Sequence, residues 1–145
     1  MTVGIVGLGL IGGSMAKSIK ARTAHTVFGC DLDQETMMMA RMCGAIDAPL
    51  TAENLKECDL VLVAIRPAAA VKWVKEHAEG IRRDAILVDL CGVKRAVVRD
   101  LAPVAEQYGF AYIGGHPMAG RRDGQPVCGR VHDPYAGQAH GYAAA

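Results

Sequence analysis

Apolar residues fall along this chain in short, nearly unbroken runs separated by stretches with helical spacing. Thr2–Val6 is one such run, closing on glycines, and predicts a first buried strand. Leu10–Arg22 follows with Ile11, Met15 and Ile19 on one helical face. Residues 26–31 predict a second strand, and residues 33–43 a second helix with Asp33 as its N-cap. The most apolar run, 60–65, is stopped by Arg66-Pro67, and Pro67 predicts the first turn of a helix to about residue 78, with Val71 and Val74 inward. A strand at 85–89, a helix at 94–107 and a last strand at 110–113 complete the alternation. Apolar strands alternating with amphipathic helices require a mostly parallel sheet covered on both faces, an α/β doubly wound fold of the Rossmann type. Ligands of such sheets bind at the carboxyl ends of the strands, so the segments after Val6, Asp31, Ile65, Asp89 and Ile113 are where chemistry is expected.

Composition narrows the partners. Of 145 residues, 51% are apolar and 21% charged, a globular balance, and the net charge of +1 with no basic stripe points away from nucleic acid or an anionic membrane. No apolar run approaches the length of a membrane span. Met1-Thr2-Val3-Gly4 leads straight into a strand, leaving no room for a signal peptide and predicting a cytoplasmic chain. The five cysteines (Cys30, Cys43, Cys58, Cys91, Cys128) lack CxxC spacing, so they are read as buried free thiols, with no metal site. After Gly120 the apolar periodicity stops: residues 1–120 form one domain and 121–145 an irregular tail.

The sharpest local signal is Gly7-Leu8-Gly9-Leu10-Ile11-Gly12, placed after a strand and opening a helix. Gly7 permits a tight turn, Gly9 lets backbone approach a pyrophosphate, and Gly12 lets the helix pack on the strand. The helix N-terminus adds unpaired N–H groups and partial positive charge. Asp31, ending the second strand, suits the two ribose hydroxyls and would repel a 2′-phosphate, which favours NAD over NADP. FAD and S-adenosylmethionine use related loops and stay open on the glycines alone.

Four segments in order extend this: Gly4 to Ser14, Asp59-Leu60-Val61-Leu62-Val63-Ala64, Asp89-Leu90-Cys91-Gly92-Val93-Lys94 and Gly114-Gly115-His116-Pro117-Met118-Ala119-Gly120. Together they resemble the N-terminal domain of the prephenate/arogenate dehydrogenase family of tyrosine biosynthesis, over residues 1 to about 121. The resemblance implies NAD-dependent oxidative decarboxylation of prephenate to 4-hydroxyphenylpyruvate, or the corresponding reaction of arogenate. It also implies that His116 contacts the ring hydroxyl; an imidazole there suits acceptance of the proton as the carbon gives up hydride. His25, His77, His132 and His140 have no such setting and read as surface residues. Ile65 and Arg66 lie at the strand edge by the cofactor, where Arg66 meets a phosphate, a substrate carboxylate or a structural ion pair. Gly92 stands where many family members carry a serine near the nicotinamide. Cys91 and Lys94 fall on the substrate side, with solvated lysine as the competing reading of Lys94.

The chain departs from the family in two places. The pattern His-Pro-x-x-Gly-x-Glu meets Arg122 at its last position. The helical C-terminal domain, which in the family supplies the homodimer interface and a substrate arginine, is expected to be absent. Back-translation of residues 122–136, read one base later, permits a glutamate at 122 and a loosely family-like Ser-Thr-Thr-Pro-Thr-Leu at 131–136, so a frameshifted end is the expectation for the tail. Three functional readings stand: a prephenate or arogenate dehydrogenase, a cofactor-binding module without turnover, and a different β-hydroxyacid-type dehydrogenase sharing only the loop, against which the His116 motif argues.

Overall fold

The structure, a computed structural model, describes residues 1–117. The tail expected over 121–145, and the end of the His-Pro string from Met118, lie outside the described residues.

The elements run in chain order. First come β1 (Thr2–Val6), α1 (Leu10–Arg22), β2 (Thr26–Cys30), α2 (Gln34–Met42), β3 (Ala48–Pro49) and α3 (Ala52–Leu55). Then follow β4 (Leu60–Val63), α4 (Pro67–His77), a 3-10 turn (Ala78–Gly80), β5 (Ile86–Asp89), α5 (Lys94–Tyr108) and β6 (Ala111–Gly114). The described strands form one parallel sheet in the order β3-β2-β1-β4-β5-β6. This is the doubly wound arrangement the alternating pattern predicts, and the chain reverses direction across the sheet between β1 and β4.

Period-two alternation explains how the strands serve two cores at once. Val3 and Ile5 of β1 join Leu62 of β4 in a cluster roofed by Ala16 of α1 and Ala40 of α2. Val6, Val61 and Val63 point the other way, into a larger cluster with Ala70 and Val74 of α4 and Val97, Leu101 and Ala105 of α5. Each fully buried Val or Leu contributes about 1.5–3 kcal/mol of burial free energy, so both faces are firmly held.

Helix boundaries follow local chemistry. Asp33 caps α2, its carboxylate accepting from the Thr36 N–H at 2.9 Å, as its position predicts. Pro67 occupies the first turn of α4, and Val74 is fully buried while Val71 packs partly against the core. Besides the 3-10 turn that extends α4, two elements are additional to those the sequence predicts. The strand β3 is two residues long and contains a proline, and α3 is one turn closed by a Thr51–Asn54 capping box. Neither is long enough to carry a periodicity.

Candidate functional site

Every sequence-predicted site residue follows the carboxyl end of a strand: Gly7 to Gly12 after β1, Asp31 after β2, Ile65 and Arg66 after β4, Cys91, Gly92 and Lys94 after β5, and His116 after β6. Parallel pairing in register brings these ends to one edge.

The glycine loop is shaped by contacts that only hydrogen permits. Gly7 adopts φ +87°, and a Cβ there would lie 2.5 Å from the Ala64 carbonyl oxygen. At Gly12 a Cβ would stand 1.7 Å from the Gly7 carbonyl oxygen, so this glycine sets how closely α1 approaches β1. A Cβ at Gly9 would meet nothing within 4 Å, which leaves open space above the loop for a ligand. Gly9 is also the N-cap residue of α1 and supplies no side-chain cap.

Asp31 reaches back to this loop. Its Oδ2 accepts from the Leu8 N–H at 2.8 Å and its Oδ1 from the Asp33 N–H at 2.9 Å. The Leu8 side chain is buried in the core, so its share in the site is the backbone. Both oxygens keep further lone-pair capacity for hydroxyl donors. Leu10 and Ile11, half-buried, begin α1 beside Gly9.

Across the sheet, the segment after β4 joins the two halves of the edge. Ile65 packs its Cγ2 where a Gly7 Cβ would stand, and its carbonyl accepts from the Cys91 Sγ at 3.5 Å. Cys91 is buried, and burial, with the neighbouring Asp89 charge, pushes its thiol up to about 11. A protonated thiol is a poor nucleophile, in keeping with a role as packing. Arg66 is exposed at the N-cap of α4 and makes no ion pair among the described residues.

The loops after β5 and β6 meet at Gly92 and His116: a Cβ at position 92 would lie 3.9 Å from Nε2 of His116. His116 itself is exposed, whereas Pro117 is buried. Lys94 is not a solvated lysine. Its ammonium pairs with Oδ1 of Asp89, a carboxylate with no exposed surface. Tyr112 donates its hydroxyl to Oδ2 of Asp89 at 2.6 Å. Burial first, then the bond to Asp89, drives the Tyr112 phenol well above its ordinary range.

Asp89 as a hub, and Tyr112 with it, were not singled out by the sequence reading. The available signal was an acidic residue closing an otherwise apolar strand, since such residues are almost never fully buried without a partner. Two histidines also differ from the surface reading. His25 is half-buried beside the Met1 amino group at 3.3 Å, and His77 stacks on Trp73 with centroids 4.3 Å apart. Of the cysteines, Cys58 and Cys91 are buried, Cys30 is half-buried and Cys43 is exposed, which corrects the expectation of uniformly buried thiols; Cys128 lies outside the described residues. No group of three or more potential metal ligands gathers among the described residues, and no helix there is long and apolar enough to cross a membrane.

Comparison with known proteins adds independent findings. Residues 15–137 match the family described as prephenate dehydrogenase, nucleotide-binding domain. A prephenate dehydrogenase of Bacillus subtilis (strain 168) is 33% identical over 123 residues, covering 82% of this chain and 33% of that protein. The crystal structure of prephenate dehydrogenase from A. aeolicus, in complex with hydroxyphenyl propionate and NAD+, superposes with TM-score 0.73 at 28% identity, covering 84% of this chain and 43% of that one. The Synechocystis arogenate dehydrogenase structure gives the same TM-score and identity over 84% and 42%. The chain spans about a third of the length of the curated relatives it matches.

Proposed function

Since the chain belongs to the prephenate dehydrogenase family through its nucleotide-binding domain, we propose that it binds NAD+ at the carboxyl edge of its sheet and provides the cofactor half of an NAD-dependent prephenate or arogenate dehydrogenase. The placement of His116 beside Gly92, on the same edge as the glycine loop, carries this reading.

The residues present fit the cofactor. Open space over Gly9 and the uncapped start of α1 suit a pyrophosphate, and Asp31 suits a ribose diol. Leu8, Leu10 and Ile11 would contribute backbone and loop shape, while Ile65, Arg66 and Gly92 would flank the cofactor farther along the edge. NAD+ would supply the hydride acceptor. His116 takes the proton of the substrate ring hydroxyl as that carbon loses hydride, and loss of carbon dioxide then makes the ring aromatic. Cys91 and Lys94 lie on the substrate side of the β5–α5 loop. A biosynthetic role in a cytoplasmic enzyme, homodimeric as the family resemblance implies, goes with this assignment.

Calorimetric titration of the purified chain with NAD+ and NADP+ tests the reading. Saturable NAD+ binding, at least about tenfold tighter than NADP+, is expected from the charge of Asp31. Absence of NAD+ binding, or tighter NADP+, overturns it.

A further inference from the structure

Resting on the dehydrogenase reading above, we infer that Asp89 and Tyr112 are positioning residues for the Gly92–His116 end of the site, with Lys94 committed to them as counter-ion. Asp89 closes β5 with no exposed surface, and each of its oxygens is bonded to a different part of the site. Oδ1 accepts from the Cys91 N–H at 3.0 Å and from the Lys94 ammonium, so one atom ties both ends of the loop at 90–93. Oδ2 accepts the Tyr112 hydroxyl from the adjacent strand β6. The main-chain carbonyl of Asp89 accepts from the Gly115 N–H at 2.9 Å, one residue before His116. A single residue thereby sets the two loops that place Gly92 and His116 side by side.

The three side chains depend on one another. A buried carboxylate without its cation leaves an uncompensated charge, and a phenol cannot replace an ammonium in that role. The stem of Lys94 lies over Gly114, where a Cβ would meet its Cδ at 3.6 Å and Asp89 Oδ2 at 3.7 Å. The half-buried ammonium is thus held at the sheet edge by a carboxylate with no exposed surface. Paired in this way, Lys94 offers the site hydrogen-bond donors without the field of a free cation.

The test uses the whole 145-residue chain, with Asp89→Asn and Tyr112→Phe, and an amine-acylating reagent read lysine by lysine by mass spectrometry. In the wild type, Lys94 is expected to acylate more slowly than exposed Lys56. Asp89→Asn should speed Lys94 by at least about tenfold relative to Lys56, the scale of one lost charged hydrogen bond. Tyr112→Phe, which leaves the Lys94–Asp89 pair in place, should change that rate far less. In both variants the backbone amide resonances of Gly92, Gly115 and His116 should move while that of Ala16 in α1 stays. A merely structural carboxylate would lower the unfolding temperature and speed all lysines alike. Should Asp89→Asn fail to fold, Tyr112→Phe, which removes one hydroxyl, decides the matter. Equal acylation of Lys94 and Lys56 in the wild type, or unmoved Gly92 and His116 resonances, overturns the inference. NAD+ calorimetry on the wild type reads the dehydrogenase assignment separately, since its failure leaves the lysine and amide results standing.

Discussion

The backbone N–H of Leu8 donates to Oδ2 of Asp31 across 2.8 Å, binding the glycine loop to the acid that follows the next strand over. Asp31→Ser keeps a short hydroxyl but loses the charge and this reach. Its effect on the fold is expected to be about 1 kcal/mol, the scale of one hydrogen bond. Its effect on ligands should be larger: NAD+ binding weakens, and the preference over NADP+ shrinks by about tenfold as the repulsion of a 2′-phosphate disappears. Parallel titrations with the two dinucleotides measure both.

The glycines separate folding from binding. Gly9→Ala places its methyl in open space, so the urea midpoint should fall by less than about 1 kcal/mol equivalent, the range of a lost glycine N-cap. NAD+ affinity should nevertheless drop, because that methyl occupies the ligand's side of the loop. Gly12→Ala sets its methyl 1.7 Å from a carbonyl oxygen and forces α1 away from β1. A loss of about 3 kcal/mol or more is expected there, at the upper end of overpacking costs.

Gly92→Ser should be close to neutral for stability, within about 0.5 kcal/mol, because its Cβ makes only an ordinary contact with His116. The added hydroxyl would come within reach of Nε2. A shift of the His116 ring resonance, with those of His25 and His77 unmoved, is the expected signature.

Titration should destabilise the fold at both ends of the pH scale. The Lys20 hydrogen bond holds Asp47 below its ordinary 3.8, and the Thr2 N–H, followed by Arg82, does so for Asp59. Stability from these depressed groups is fully present above 3.8 and is lost as pH falls through their lower folded values. Acid unfolding curves of Asp47→Asn should therefore be shallower. Burial raises the thiols of Cys30, Cys58 and Cys91 from 9.0 to about 11, so their contribution is complete below 9.0 and is lost as pH climbs toward 11. A thiol reagent at neutral pH should label exposed Cys43 well before Cys58 or Cys91.

The strands β1, β2, β4, β5 and β6 were legible because each carries a short apolar run bounded by turn or polar residues. The edge strand β3 was not, because Ala48 and Pro49 carry neither run nor alternation. The glycine loop was legible because its reasons are local: a turn, and a close helix approach. Asp89 was not, because its partners come from α5 and β6, and only tertiary docking brings Lys94 and Tyr112 to it. The role of His116 came from resemblance. Gly92 came from the same resemblance, but its closeness to His116 was hidden, because two loops distant along the chain bring them together.

Among the described residues β6 is the outermost strand on its side of the sheet, paired only with β5, and its Ile113 is half exposed. An edge strand can detach while the rest of a sheet survives, so its opening free energy lies well below that of global unfolding. When β6 detaches, Tyr112 and His116 leave with it, while the glycine loop and Asp31 stay seated on β1 and β2. Hydrogen exchange should therefore show a two-speed molecule: a glycine-loop end closed for as long as the protein is folded, and a Gly92–His116 end that opens many times within that lifetime.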